Sequence, residues 1–105
     1  MLVMTYENVL AALADPTRRK IFETLWQGPS TVTDLAKDQT VSRPAVSQHL
    51  KVLENAKLVT VTPKGSHRIY AVRHDGLEYL RSYIDQFWGD ALGAYAAEVQ
   101  RRTSN

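Results

Sequence analysis

Apolar residues recur every three or four positions through the first half of the chain, which is the spacing of amphipathic helices. The clearest stripe is formed by Val46, Leu50 and Leu53. Prolines and capping Ser, Thr or Asp residues separate one stripe from the next. The pattern therefore predicts four helices, which span Tyr6–Ala14, Pro16–Trp26, Val32–Asp38 and Ser42–Asn55.

The period changes after the fourth helix. Residues Leu58–Thr62 and His67–Val72 alternate between apolar and polar side chains, and Pro63–Ser66 has the composition of a turn. This pattern predicts a β-hairpin. Helical spacing then resumes from Gly76 to Gln100, with Asp75 as the predicted N-cap. The apolar stripe of this last helix is wide and aromatic, more than a small core requires.

The predicted order, α-α-α-α-β-β-α, is typical of a mostly α winged helix-turn-helix fold, in which two helices precede a hairpin called the wing. We expect one domain over residues 1–105. Within it the helix-turn-helix is expected at about 31–55, the wing at about 58–73 and a C-terminal dimerisation helix at about 76–100.

The size and composition of the chain restrict how it can be stabilised and where it works. It has 105 residues and no cysteine, so disulfides and thiolate metal sites are excluded. A domain this small buries only part of its apolar surface, and dimerisation is a common way to bury more. No signal peptide or membrane-spanning segment is evident. We expect a cytoplasmic protein that does not contact membranes.

Positive charge is concentrated in the middle of the chain. The formal net charge is only +2. Residues 41–75, however, contain six basic and two acidic residues, whereas both flanking segments are slightly acidic. A localised basic segment is expected of a nucleic-acid-binding protein, although many charged stretches are simply solvated.

Four segments of the sequence resemble the ArsR type of winged helix-turn-helix repressors. They follow the family's order over about residues 8–88, and the resemblance implies a dimeric repressor that binds an operator. Glycine usually follows the recognition helix in this family, and we expect Asn55 to take the left-handed conformation in its place. The segments are Ala11–Arg19 with Ile21, Val32–Ala36, Ser42–Leu53, and Leu58-Val59 with Gly65, Arg68 and Tyr70.

The resemblance and the apolar stripe of the fourth helix together indicate which residues contact double-stranded DNA. Arg43 is expected to pair with guanine, Gln48 with adenine, and Ser47 with a base edge or a phosphate. Lys51 is expected at a phosphate. For His49, a DNA contact and a partly buried structural position are equally supported. The wing residues expected to straddle the DNA backbone are Lys64, Ser66, His67 and Arg68.

In the ArsR type, the first and last helices supply the contacts of the homodimer. Gly89 and Gly93 in the last helix fit either a close approach of helices across the dimer or a bend or early helix end. The residues expected at the dimer interface are Tyr6, Val9, Leu10, Leu80, Ile84, Phe87, Trp88, Ala91, Leu92 and Tyr95.

Four polar residues near the helix starts have structural interpretations. Thr31 and Thr33 are assigned to capping of the third helix, although a helix N-terminus also attracts phosphate. Arg18 and Arg19 are assigned to structural ion pairs with Asp15 or Glu23 rather than to reading bases.

Metal sensing, which many ArsR-type repressors use, has no complete site in this sequence. The segment beside the third helix lacks cysteine, and the last helix lacks histidine. Zinc prefers nitrogen and sulfur ligands. A site formed by His67, His74 and Asp75 is the one metal alternative left open. We therefore predict no metal and no cofactor, and we leave open whether a small molecule or a protein acts as effector.

The sequence contains no phosphate-binding loop, Cys–His pair or nucleophile elbow, so we do not expect an enzyme. Two alternatives to a sequence-specific regulator remain. One is a winged-helix module that binds protein, and the other is an architectural DNA binder of weak specificity. The polar and basic face of the fourth helix argues against the first.

Overall fold

The structure, a computed structural model, describes residues 6–103. In this range, five helices and a two-stranded antiparallel hairpin follow in the order α-α-α-α-β-β-α, as the sequence predicts. The elements are α1 (Tyr6–Ala14), α2 (Pro16–Trp26), α3 (Val32–Asp38), α4 (Arg43–Asn55), β1 (Val59–Lys64), β2 (His67–Val72) and α5 (Asp75–Thr103).

Side-chain caps fix where three of the helices begin. Each capping oxygen accepts a hydrogen bond from the backbone N–H three residues further on, which satisfies a donor that the helix leaves unpaired. The bond from the Arg18 N–H holds the pKa of the Asp15 carboxyl below its ordinary value. The pairs are Asp15–Arg18 at 2.9 Å, Thr31–Asp34 at 3.2 Å and Ser42–Ala45 at 3.3 Å.

Two arginines of α2 close the carbonyl end of α1. We expected these arginines to form ion pairs with Asp15 or Glu23, and this prediction is wrong. The guanidinium groups of Arg18 and Arg19 instead donate hydrogen bonds to main-chain oxygens. The last carbonyls of a helix lack hydrogen-bond donors and carry partial negative charge. A guanidinium supplies the donors and also balances the charge. The bonds are Arg18 Nε to Ala12 O at 2.6 Å, Arg18 Nη2 to Ala11 O at 3.1 Å and Arg19 Nη1 to Leu13 O at 2.9 Å.

One hydrophobic core joins α1–α4 to the wing. It contains the whole predicted stripe of α4. Val9 also belongs to it and is 0% exposed. Its predicted role at the dimer interface is therefore wrong, because packing within the chain already covers its side chain. The fully buried large side chains are Val9, Ile21, Leu25, Leu35, Val46, Leu50, Leu53, Leu58 and Val59.

The turn between α4 and β1 differs from the predicted one. Asn55 stays helical, and Lys57 takes the left-handed conformation with φ 57°. Ala56 is buried in the core at the C-cap of α4, which keeps the chain helical through Asn55. The N–H of Gly76 donates to the Lys57 carbonyl at 2.8 Å. A Cβ on Gly76 would lie only 2.9 Å from that oxygen and closer still to the Ala56 oxygen, so the contact requires glycine.

The first strand of the wing ends later than predicted, whereas the second strand, His67–Val72, is confirmed. Because β1 continues to Lys64, which pairs with His67, the turn is Gly65-Ser66 rather than Pro63–Ser66. Gly65 has φ 62°, a conformation that favours glycine and suits a two-residue hairpin turn. Pro63 lies within the ladder, where alternate residues of a two-stranded ribbon direct their nitrogen away from the partner.

Helix α5 is longer than predicted and projects from the core. It begins at Asp75, whose carboxylate accepts from Arg73 Nη2 at 2.9 Å. That bond, rather than the predicted N-cap, accounts for the lowered pKa of Asp75. The helix continues through Gly89 and Gly93 to Thr103, so an early end at the glycines is excluded. Its 29 residues span about 44 Å.

The projecting helix gives the molecule an extended shape. The radius of gyration is 18.7 Å, whereas a compact chain of this length has about 13 Å. Between residues 6 and 103, no helix has an apolar stretch sufficient to traverse a bilayer.

Candidate nucleic-acid interface

Helix α4 presents a polar and basic face outwards. Its Ser42 cap and Pro44 in the first turn fix where the helix begins. Because the apolar stripe of α4 packs into the core, the opposite face is directed to solvent. The exposed residues of that face include all the α4 residues predicted to contact DNA except His49, namely Arg43, Ser47, Gln48 and Lys51.

The wing is held beside the start of α3 by a short backbone bridge. The Ser30 N–H donates to the Tyr70 carbonyl at 2.9 Å, and the Tyr70 N–H donates to the Ser30 carbonyl at 2.8 Å. The Tyr70 side chain is buried in the core. Sequence reasoning missed this bridge, because a single paired residue has no periodicity. It fixes the position of the wing relative to the helix-turn-helix.

An open cleft of about 600 Å³ lies between the first turns of α3 and α4 and the tip of the wing. It brings together five of the nine residues predicted to contact DNA. Gln48 and Lys51 on α4 and Lys64 on the wing are exposed but do not line it. The residues that line the cleft are Thr31, Val32, Thr33, Arg43, Pro44, Ser47, Ser66, His67 and Arg68.

Sequence reasoning did not place the start of α3 in this site. Thr31 and Thr33 were assigned to capping, and the Thr31 cap is confirmed. Both threonines also line the cleft. A capping hydroxyl accepts one hydrogen bond and keeps its own O–H to donate. The two threonines at the start of α3 were evident in the sequence, but helix capping was a sufficient explanation for them.

The cleft is positively charged. Arg43 and Arg68 are its charged side chains, and no carboxylate lines it. Within residues 6–103, neither arginine has a carboxylate within 4 Å, and neither does Lys51 or Lys64. Unpaired cations around a concave surface attract a polyanion.

His49 is directed towards α2 and does not line the cleft. It is partly buried, and its Nδ1 lies 3.4 Å from Nη1 of Arg18. This contact favours the structural interpretation of His49, and its contact with DNA stays a prediction.

The remaining metal alternative is not supported by the arrangement of its residues. His67 lies at the tip of the wing, whereas His74 packs perpendicular to Trp26 with ring centroids 5.6 Å apart. Across residues 6–103, no group of three or more His, Asp or Glu side chains is placed to hold a metal ion.

A second surface, the apolar face of α1 and α5, remains uncovered. Tyr6 stacks on Tyr83 with ring centroids 3.8 Å apart, and Phe87 meets Tyr83 edge-on. Beyond this aromatic cluster, large apolar side chains are directed to solvent, with Trp88 60% and Tyr95 70% exposed. The exposed interface candidates are Leu10, Ile84, Phe87, Trp88, Ala91, Leu92 and Tyr95, whereas Tyr6 and Leu80 are half-buried.

Comparisons with known proteins agree with this architecture. The family profile described as "Bacterial regulatory protein, arsR family" matches residues 15–61. The HTH-type transcriptional regulator Rv2034 of Mycobacterium tuberculosis is 55% identical over 85 residues, which cover 81% of this chain and 79% of that protein. The transcriptional repressor SdpR of Bacillus subtilis is 34% identical over 75% of this chain and 92% of its own length.

A solved structure described as a possible transcriptional regulator for arsenical resistance superposes with a TM-score of 0.69. It is 43% identical in sequence, and the match covers 85% of this chain and 93% of that one.

Proposed function

Because the chain belongs to the arsR family of bacterial regulatory proteins, which are DNA-binding transcriptional regulators and not enzymes, we propose that it is a dimeric cytoplasmic repressor that binds an inverted-repeat operator. The observation that carries the proposal is the basic cleft between α3, α4 and the wing. It joins Arg43 and Ser47 to His67 and Arg68 on one concave surface.

Helix α4 supplies the sequence-reading contacts in this proposal. Its exposed face enters the major groove, where Arg43 donates two hydrogen bonds to guanine and Gln48 pairs with adenine. Each such pair contributes about 1–3 kcal/mol of discrimination between bases. Ser47 lies one turn after Arg43 and contacts a base edge or a phosphate.

The wing and the start of α3 supply backbone contacts. Thr31 and Thr33 donate hydrogen bonds from their hydroxyls to phosphates of one DNA strand. Lys64 and Arg68 on the wing lie along the backbone at the adjacent minor groove. Lys51 meets a phosphate further along α4. These contacts provide most of the affinity, and binding therefore weakens steeply as salt rises.

DNA binding is tested with duplexes selected from a random library by the purified protein, followed by fluorescence anisotropy. We expect at least a thousandfold preference for the selected sequence over scrambled DNA. Arg43→Ala and Gln48→Ala each reduce that preference by about 5- to 150-fold. The matched control is Arg81→Ala, which removes an exposed cation from α5 outside the cleft.

Two outcomes contradict the specific mechanism. Equal binding to selected and scrambled DNA means a weakly specific architectural role. No binding at low salt means that the winged helix contacts protein instead.

Dimerisation rests on the apolar face of α1 and α5. Exposed apolar surface of this extent is rare on monomers and marks an interaction site. A two-fold dimer buries the same face on both copies, and it places two α4 helices about 10 base pairs apart on DNA. Close approach of the helices at Gly89 and Gly93 is consistent with this arrangement, because among residues 6–103 no atom outside the adjoining helix backbone lies within 4 Å of the Cβ position of either glycine.

Analytical ultracentrifugation tests the interface. We expect the wild type to sediment as a dimer. Trp88→Ser and Tyr95→Ser should each raise the dimer dissociation constant at least tenfold, because each removes a large aromatic side chain that the proposed dimer buries. Trp26→Ser is the matched control, since Trp26 is similarly exposed but lies on α2. A wild type that stays monomeric at high concentration contradicts the dimer.

We propose that release from DNA does not use a thiolate metal site. The chain has no cysteine, and thiolates are the ligands that soft metals select. The test is the DNA affinity with and without zinc or arsenite, which is expected to be unchanged. A loss of DNA binding on metal addition contradicts this proposal.

A further inference from the structure

A cavity of about 310 Å³ lies where the C-terminal end of α4 meets α1 and α2. At 100° per residue, Val52 is half a turn from Arg43, whereas Asn55 lies on the same side of α4 as Gln48. The cavity, named here the inter-helix pocket, is formed by three helices. Its lining residues are Asn8, Ala11 and Ala12 of α1, Arg18 of α2, and Val52, Asn55 and Ala56 around the end of α4.

The lining of the inter-helix pocket combines one cation with an apolar wall. Arg18 is its charged residue, and no acidic side chain lines it. The wall is made of alanines and Val52, while Asn8 and Asn55 supply amide groups at its edges. Small-molecule sites typically have this composition, with mostly apolar walls and a few polar groups that orient the ligand.

Arg18 has hydrogen-bonding capacity left for a ligand. Its guanidinium donates to the Ala11 and Ala12 carbonyls and lies 3.4 Å from Nδ1 of His49. A guanidinium has five N–H groups, so three contacts leave two unused. In the part of the chain that the structure describes, no carboxylate lies within 4 Å of Arg18. A half-buried guanidinium with unused N–H groups and no carboxylate in direct contact can bind an anion through charge-assisted hydrogen bonds.

We propose that the inter-helix pocket binds a small organic monoanion, with its carboxylate on Arg18 and its apolar body against Val52 and the alanines. The volume lies at the lower end of the range for ligand sites, which matches a molecule about the size of a substituted benzoate.

The position of the pocket connects the ligand to the DNA-reading helix. Arg18 holds the end of α1 through two carbonyls and also meets His49 on α4. A carboxylate bound to the two unused N–H groups draws the guanidinium towards the pocket and lengthens its 3.4 Å contact with His49, so occupancy loosens the contact between α1 and α4. A ligand that prefers this loosened state lowers the affinity for DNA. This regulatory step rests on the proposed function, whereas the binding site itself does not.

The binding site is tested by titrating sodium benzoate into the isotope-labelled full chain and recording amide chemical shifts. We expect saturable shifts at Ala11, Arg18, Val52 and Ala56, with a dissociation constant on the order of 1–10 mM for so small a probe. Benzyl alcohol has nearly the same shape without the charge, and it should bind at least tenfold more weakly.

Two near-isosteric substitutions of Val52 separate charge from shape. Val52 is 40% exposed, so both variants should fold. Val52→Asn should keep benzoate binding within about threefold, whereas Val52→Asp should weaken it at least tenfold by repelling the carboxylate. Asn55→Asp adds the same charge at the other edge of the pocket and should weaken binding in the same direction.

The proposal is overturned if benzoate gives no saturable shifts in the pocket, if benzyl alcohol binds equally well, or if Val52→Asp binds benzoate like Val52→Asn. The regulatory step is measured separately, as the DNA affinity in benzoate against equal sodium chloride. A fall of at least threefold supports it. Benzoate binding with unchanged DNA affinity removes the regulatory step and leaves the site. If the protein does not bind DNA when benzoate is absent, only the proposed function is refuted, and the ligand site is not affected.

Discussion

The contact between Gly76 and the turn after α4 predicts that Gly76→Ala is strongly destabilising. The added Cβ would lie 2.9 Å from the Lys57 oxygen, closer still to the Ala56 oxygen, and 3.1 Å from Cδ2 of Leu58. Two of these atoms belong to the backbone, so they cannot rotate away. Relief requires α5 to move outwards, which lengthens the hydrogen bond from the Gly76 N–H to the Lys57 carbonyl, now 2.8 Å.

The magnitude follows from three contributions to the free energy of unfolding. Overpacking costs about 1–3 kcal/mol, and weakening the hydrogen bond costs about 1 kcal/mol. Alanine in place of glycine in a helix returns at most about 1 kcal/mol. The net loss is therefore about 1–3 kcal/mol. Urea unfolding followed by circular dichroism should show a lower midpoint with an unchanged slope, at one fixed protein concentration because the proposed dimer contributes to stability.

Gly93→Ala is the matched control for this prediction. It makes the same change in the same helix, but no atom of the described residues, apart from the adjoining backbone of the helix, lies within 4 Å of the added Cβ. We expect it to stabilise the folded chain by up to about 1 kcal/mol when both glycine variants are compared in the Trp88→Ser background, in which the proposed contact at Gly93 across the dimer is weakened. A Gly76→Ala variant as stable as the wild type would refute the close approach of α5 to the turn.

Three further substitutions test local features of the fold. Lys57→Gly should stabilise the chain by about 1 kcal/mol in urea unfolding, because it removes the cost of a left-handed side-chain-bearing residue; Lys64→Gly, at a position without positive φ, should not. The lowered pKa of Asp15 means that its contribution to stability is present at neutral pH and is lost as the pH falls below about 3.9. Asp15→Asn keeps the capping oxygen and should flatten the acid limb of the stability profile, and an unchanged limb would contradict the assignment. Arg19→Ala should lower the unfolding free energy by about 1 kcal/mol through loss of its bond to the Leu13 carbonyl, whereas the exposed neighbour Lys20→Ala should have no measurable effect; equal losses would argue against this bond.

Local signals allowed most of the secondary structure to be predicted. The boundaries of α1, α2 and α3 follow from apolar spacing and from caps such as Asp15 and Thr31, because a cap and its partner lie only three residues apart. The outward face of α4 follows from the same spacing. These features depend on neighbours in sequence, which a single chain displays directly.

The errors fall where distant segments meet. The left-handed residue is Lys57 rather than Asn55, because burial of Ala56 in the core extends the helix. Gly76 is required by a turn almost twenty residues earlier, and Ser30 pairs with a residue on the second strand of the wing. No local pattern encodes such approaches. The cleft was therefore predicted as two separate sets of residues, and its third wall was missed.

Arg18 and Arg19 attach the end of α1 to α2 through the main chain of α1. The exposed side chains of α1 are therefore not needed for this attachment. Both guanidinium groups bind main-chain oxygens of α1, and every amino acid supplies such an oxygen. The outer side chains of α1 can therefore change without altering how α1 joins α2. Substitution of residues such as Leu10 can therefore alter the surface proposed for dimerisation while α4, the helix proposed to read DNA, keeps its position. Evolution of the proposed dimer surface is in this way independent of the proposed contacts with DNA.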